Sequence, residues 1–187
     1  MSAVSIRPAT PADIPAITRI YAYAVKHGTA SFELEPPDEA EMARRQRTLV
    51  DGGYPYIVAE IDDALAGYAY AGPYRPRPAY RFSVEDSIYV DPSAQRRGVG
   101  RVLLEHLIEE CERRGFRQMV AVIGDSAQAP SIELHRTLGF HDRRGRECRL
   151  QIWPLARQRE HAARARRRRN DQARLDCHQA RSLIEHA

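Results

Sequence analysis

Over the first 140 residues apolar positions recur with two periods, and the change from one to the other divides the chain into helices and strands. Ile14, Ile17, Ile20, Tyr21, Ala24 and Val25 return every three or four residues. They predict an amphipathic helix that opens at Thr10-Pro11 and stops near His27-Gly28. A second helix is expected from about Asp38 to Asp51, closed by Gly52-Gly53. Val4–Arg7 alternates briefly, and Tyr56–Ile61 and Leu65–Ala71 read as the strands of a hairpin that turns at Asp62-Asp63-Ala64. Phe82–Val90 is a further strand, and Val102, Leu103, Leu107, Ile108 and Cys111 share one face of a helix reaching Arg114. Gln118–Ile123 is continuously apolar, as a strand covered on both faces should be. A last helix runs from Pro130 to Leu138 and is stopped by Gly139-Phe140.

After Asp142 the periodicity fails. The 187 residues therefore divide into one α/β domain, 1–142, and a tail, 143–187, whose composition predicts disorder or weak helix. Charge follows the same division. Residues 1–142 hold 16 Lys+Arg against 20 Asp+Glu, and the tail holds 13 against 5, including the run Arg166-Arg-Arg-Arg169. The net charge of +4 thus belongs to the tail, which argues against nucleic-acid binding by the domain. No apolar run reaches the length that crosses a bilayer and the N-terminus lacks a signal-peptide pattern, so a cytoplasmic location is expected. Cys111, Cys148 and Cys177 have no metal-ligand spacing and are expected to be free thiols, with no metal bound.

Candidate chemistry gathers around Asp91-Pro-Ser-Ala-Gln95-Arg96-Arg97-Gly98-Val99-Gly100-Arg101, between a strand and a helix. Glycines let a backbone approach an anion, the first amides of a helix lack partners, and Arg96, Arg97 and Arg101 add charge. The stretch reads as a phosphate site. Upstream, Thr29–Pro37 is a loop in which Phe32 either plugs the core or covers a ligand, and Gly72–Arg81 is a proline-stiffened basic loop. Glu85 and Asp86 stand near the start of the strand that leads to the phosphate site, either as working carboxylates or as a solvated strand end.

These segments, in this order, resemble the GCN5-related N-acetyltransferase (GNAT) superfamily, and within it the phosphinothricin and methionine sulfoximine acetyltransferases. The resemblance rests on Gln95-Arg-Arg-Gly98-Val-Gly100, Ala69-Tyr-Ala-Gly72-Pro-Tyr74, Phe82-Ser-Val-Glu85-Asp-Ser-Ile-Tyr-Val90, Ala121-Val-Ile-Gly124-Asp-Ser126 and Ser131-Ile-Glu-Leu-His135-Arg-Thr-Leu-Gly139-Phe140. It implies the GNAT fold, a mixed central sheet with flanking helices, and acetyl-CoA as the acetyl donor. The pyrophosphate would lie on Arg96, Arg97, Gly98, Val99, Gly100 and Arg101, and the pantetheine along Ile88, Tyr89 and Val90. Gln128 and Ser131 would add contacts, although Gln128 stands where the family often has asparagine. Glu85 would be the base that takes a proton from the incoming amine, with His135 and Tyr89 as further catalytic groups. The acceptor would be a small amino-acid-like amine held by Phe32, Arg75, Arg77, Glu85 and Ser87. The family also implies a homodimer. A protein N-terminus or another amine is the alternative acceptor, and binding of nucleic acid or an acidic partner through the arginine-rich tail is the rival from a different class.

The resemblance implies a further pair of strands carrying a segment similar to Gly-Phe-Lys-Phe-Gly-Arg-Trp-Leu-Asp, which completes the sheet and helps build the acceptor pocket. The protein sequence after Phe140 does not match it, so these strands are expected to be missing or altered. Arg149-Leu-Gln-Ile-Trp-Pro-Leu-Ala-Arg-Gln-Arg-Glu160 has a codon assignment that, read one base later, gives Gly-Phe-Arg-Phe-Gly-Arg-Trp-Leu-Asp-Ser-Val. A change of reading frame near His141 or Asp142 would account for the mismatch and for the abundance of arginine beyond it.

Overall fold

A computed structural model describes residues 3–28, 31, 33–123, 129–144 and 149–154. Seven strands form one sheet in the order β1-β2-β3-β4-β5-β7-β6. They are β1 Ser5–Pro8, β2 Tyr56–Ile61, β3 Ala64–Pro73, β4 Ser83–Val90, β5 Gln118–Ile123, β6 His141–Arg144 and β7 Arg149–Pro154. The β4–β5 pair is parallel and every other pair is antiparallel, so the sheet is mixed.

The hairpin turn falls where the sequence places it. Asp62 and Asp63 take φ values of 51° and 61°, the doubly left-handed turn that matches strand twist. Thr10-Pro11 opens a short 3₁₀ turn, Pro11–Asp13, before helix α1, Ile14–His27, and the Thr10 N–H donates to Asp13 Oδ2 at 2.7 Å. Helix α2, Glu39–Asp51, is capped by Asp38, whose side chain accepts from the Glu41 N–H. Helices α3, Val99–Arg113, and α4, Ala129–Thr137, follow β4 and β5. Helix α3 starts three residues earlier than its apolar spacing suggests. Gly100 and Arg101 are therefore helical, and Leu104 is fully buried whereas Val102 is only half-buried.

Two cores lie on the two faces of the sheet. Ile14, Ile17, Ile20 and Tyr21 of α1 and Met42 of α2 pack on Tyr56, Val58 and Tyr68. Leu103, Leu104, Leu107 and Cys111 of α3, with Ile132 and Phe140, pack on Ile57, Ala69, Val84, Met119 and Ala121. Burial of whole apolar side chains at ~1.5–3 kcal/mol each makes these two layers the main source of stability.

Of the two alternatives for the last strands, missing or altered, the structure has the altered one: the strands are present with a sequence unlike the family's segment, and the regular fold continues past the boundary expected at Asp142. All six residues of β5 pair with β7, from Gln118 opposite Pro154 to Ile123 opposite Arg149, and β6 lies beyond β7. Arg149-Leu-Gln-Ile alternates polar and apolar positions, a strand signal that the arginine-rich composition of the tail as a whole conceals. The disorder or weak helix expected over 143–187 does not hold for the strand residues 143–144 and 149–154, and residues 145–148 and 155–187 lie outside the described residues.

Candidate active site

β4 and β5 are hydrogen-bonded only at their starts, Ser83 opposite Gln118, Val84 opposite Met119 and Glu85 opposite Val120. From Asp86 onward β4 stays with β3 while β5 stays with β7. The two parallel strands splay apart, and the β4 edge from Asp86 to Val90 faces the gap with backbone groups that β5 does not take. The amides of Val99 and Gly100, at the first turn of α3, have no partner inside the helix.

The loop reaches that helix through two left-handed residues, Arg96 at φ 59° and Gly98 at φ 83°. Gly98 caps α3 by conformation alone, with no side chain accepting from the first turn, so the helix end is left to an outside anion. A Cβ at Gly100 would come within 3.4 Å of Leu134, where α3 approaches α4. Arg96 and Arg97 are exposed, and among the described residues neither has a carboxylate partner. Arg101 is already paired with Glu105 at 2.9 Å, so its charge is shared.

Alternation along β4 sends Glu85, Ser87 and Tyr89 to the α1/α2 face and Val84, Asp86, Ile88 and Val90 to the α3/α4 face. Glu85 is half-buried and its carboxylate has no hydrogen-bond partner among the described residues. Burial first, and the neighbouring Asp86 charge second, push its pKa up. Ser87 hydrogen-bonds Tyr70, whose phenol is itself pushed up by burial. Tyr89 stacks on Tyr68 at 5.2 Å and meets the edge of Tyr21 at 5.0 Å. Burial drives its phenol far above the ordinary range, so it stays protonated.

Tyr21 links this face to the α1–α2 loop. Its hydroxyl donates to Glu33 Oε1 at 3.1 Å and lies 3.0 Å from Ser31 Oγ, while Arg45 of α2 reaches the same Glu33 oxygen at 2.5 Å. Between α1, α2 and the sheet opens a pocket of about 240 Å³, walled by Tyr21, Met42, Arg45, Leu49, Tyr56 and Tyr70. The tyrosine ladder and the Glu33–Arg45 pair have weak sequence signals. Tyr68 and Tyr70 alternate on one strand, but nothing local joins residues 12 apart. Phe32 and Gln128 lie outside the described residues.

Other candidates are placed elsewhere. Arg75 lies over the rings of Tyr74 and Tyr80, at 5.1 and 5.5 Å, which holds its guanidinium on an exposed loop, with no carboxylate partner among the described residues. Arg77, also exposed, starts the 3₁₀ turn Pro78–Tyr80. His135 is not brought to Glu85. It is 4% exposed on the opposite face, with Nε2 3.0 Å from Asp86 Oδ2 and Nδ1 2.7 Å from the Ser131 carbonyl. Ser131, in the first turn of α4, contributes that carbonyl. Among the described residues no cluster of His, Cys, Asp and Glu could hold a metal, and no helix is long and apolar enough to cross a membrane.

Residues 18–140 match the acetyltransferase (GNAT) family. The chain is 52% identical over 138 residues to the phosphinothricin N-acetyltransferase of Alcaligenes faecalis, covering 74% of this chain and 70% of that protein. It is 41% identical to the L-methionine sulfoximine/L-methionine sulfone acetyltransferase of Salmonella typhimurium, covering 73% and 80%. Among solved structures, a GNAT superfamily phosphinothricin acetyltransferase from Sinorhizobium meliloti in complex with acetyl-CoA superposes with a TM-score of 0.78 at 45% identity, covering 83% and 89%. The splayed strands, the α3 terminus without a side-chain cap and the sequence agree: the chain belongs to the GNAT family of acetyltransferases.

Proposed function

We propose that the chain transfers the acetyl group of acetyl-CoA to the amino group of a small amino acid. Phosphinothricin and methionine sulfoximine, the acceptors named for the relatives, are the first to try. The residues present suit the donor. The Val99 and Gly100 amides with Arg96 and Arg97 suit a pyrophosphate, and the unpaired β4 edge suits an amide-bearing arm. The donor supplies a thioester carbonyl at the end of that arm.

Glu85 carries this reading. It is the carboxylate that faces the α1/α2 side where β4 leaves β5, and its raised pKa suits it to accept the amine's proton near neutral pH. As the new C–N bond forms and the C–S bond breaks, Glu85 takes the proton from nitrogen. The proton that Glu85 took from nitrogen passes to the departing thiolate with the Tyr89 phenol as relay, so that Tyr89, held protonated by burial, ends protonated and the thiol leaves neutral. Backbone N–H groups of the open β4 edge face the developing oxyanion. Arg75 and Arg77 take the acceptor's anionic groups by bidentate contacts, and Ser87 orients the acceptor beside Tyr70. A homodimer follows from the family resemblance, and a cytoplasmic location from the sequence pattern alone.

Thiol release from acetyl-CoA is the test, measured against a panel of amino acids and with Glu85→Gln as control. Turnover confined to phosphinothricin, methionine sulfoximine or close analogues, and lost in Glu85→Gln, is expected. No turnover with any amino acid, or full turnover in Glu85→Gln, would sink this reading.

A further inference from the structure

The pair Asp86–His135 joins the strand that carries Glu85 to helix α4, and its proton count is unusual. Both histidine nitrogens face oxygen acceptors, the Ser131 carbonyl at 2.7 Å from Nδ1 and Asp86 Oδ2 at 3.0 Å from Nε2. A carbonyl only accepts, so Nδ1 carries a hydrogen. A neutral imidazole then has a bare Nε2, which cannot face a bare carboxylate oxygen across 3.0 Å without repulsion. One more proton must lie between Nε2 and Oδ2. Whether it rests on nitrogen or on oxygen, the pair as a whole is uncharged. That is the form tolerated where the two side chains are only 5% and 3% exposed.

We propose that Asp86 and His135 form a one-proton latch between β4 and α4 that holds the strand where it parts from β5, and so positions Glu85. The proposal rests on Glu85 as the base and assigns His135 a positioning role. Asp86 is the first β4 residue beyond the last pair with β5, Glu85 opposite Val120, so its side chain anchors the strand at the mouth of the gap. The histidine ring is fixed as well, edge-on to Phe140 at 4.8 Å. No chemistry at the reacting amine is open to His135, because Glu85 points to the other face.

The surroundings bear on when the proton is lost. Burial alone would lower the His135 pKa, but the Asp86 charge, the Asp86 hydrogen bond and the Ser131 carbonyl outweigh it and the net direction is upward. From α3 the facing group is the Cys111 thiol, which burial and Asp86 push up, so it stays neutral. From β4 itself the nearest charge is Glu85, on the opposite face. Glu133 and Arg136 of α4 are exposed and paired with each other. A raised histidine pKa stabilises the fold fully below the unfolded value of about 6.5, and that stability is lost as pH rises through the folded value.

Asp86→Asn separates the latch from its proton. The asparagine NH₂ donates to a bare Nε2, Nδ1–H still donates to Ser131, and no extra proton is needed. Asp86 Oδ1 has no partner among the described residues, so the amide carbonyl that replaces it loses no hydrogen bond. The test uses ¹⁵N-histidine NMR on the full chain, with steady-state kinetics alongside. In the wild type His135 is expected to show no titration near about 6.5, and in Asp86→Asn to remain a neutral Nδ1–H tautomer. Asp86→Asn should keep kcat within about threefold, whereas His135→Leu, which strands a buried carboxylate, should lower kcat by about 10- to 100-fold with a smaller change in the acceptor KM. The acid limb of the rate profile, set by Glu85, should survive in Asp86→Asn. A His135 that titrates near 6.5 in both proteins overturns the latch. So does a limb of the rate profile that disappears with Asp86→Asn. The NMR signature does not depend on turnover: if Glu85→Gln is fully active while the signature stands, it is the choice of base that has failed.

Discussion

Glu85 and Asp86, one residue apart, stand on opposite faces of the sheet. The first faces the α1/α2 side without a hydrogen-bond partner among the described residues, and the second is closed off against His135 on the α3/α4 side. The same strand therefore divides its two carboxylates into one group free to react and one fixed in the frame.

Removing the free one should trade activity for stability. Glu85→Gln is expected to lower kcat by about 10²–10⁴-fold, the usual worth of a positioned base. The fold holds the protonated form of Glu85 more tightly than the unfolded chain does, because its pKa is raised. The stability this gives is present below the unfolded value of about 4.3 and is lost as pH rises through the folded value. Gln, always neutral, avoids that loss. Thermal melting should therefore show the variant more stable than wild type at pH 7.5 and no more stable at pH 4. A variant that melts lower at both pH values would show that the carboxylate is not held under strain.

Glu33→Gln tests the anchoring of the α1–α2 loop, which is proposed to cover the acceptor. One oxygen of Glu33 takes both the Tyr21 hydroxyl and the Arg45 guanidinium, so the change weakens both ties at once. The acceptor KM is expected to rise several-fold while the acetyl-CoA KM stays constant, because the α3 terminus lies on the other side of the gap. Steady-state kinetics with each substrate varied in turn checks this, and equal changes in both KM values would contradict it.

How much of this site was legible in the sequence depended on range. The loop proposed to hold the phosphate is local, and its glycines and arginines announce it, though the helix begins at Val99 because Gly98 alone supplies the left-handed cap. Strand alternation shows that Glu85 and Asp86 diverge, but not which face holds the acceptor. The Asp86–His135 bond spans 49 residues and the Arg45–Glu33 bond spans 12, so neither has a local pattern. A histidine on a helix beside apolar neighbours reads the same whether it meets a substrate or a buried aspartate. Likewise, β7 hides in the sequence because composition is summed over a window far longer than its six residues.

Acid stability should turn on Asp13. Its carboxylate takes two donors from Arg7, at 2.7 and 2.8 Å, and the Thr10 N–H, and these lower its pKa to about 2. A lowered carboxylate pKa stabilises above the unfolded value of about 3.9, and the gain is lost as pH falls through the folded value. Asp13→Asn is expected to cost about 1–2 kcal/mol at pH 7, allowing for screening at the half-exposed Arg7, and almost nothing at pH 2. Urea titrations at the two pH values check this, and an equal cost at both would refute it.

The last test concerns the strands past Phe140. The family match stops at residue 140, yet the sheet continues through β6 and β7, and β7 covers the edge of β5 along its whole length. Backbone pairing is satisfied by almost any strand, whereas packing depends on which side chains the strand brings. If the reading frame changes near His141 or Asp142, the native frame supplies the same strand positions with Gly-Phe-Arg-Phe-Gly-Arg-Trp-Leu-Asp. A chain carrying that reading in place of residues 149–157 should melt several degrees higher and turn over the acceptor faster, because the strand that borders β5 would then match the rest of the domain. Ending the chain at Phe140 should do the opposite, leaving β5 as a bare apolar edge that aggregates. Equal melting temperatures and rates for the two full-length chains would show that the tail as written already completes the domain.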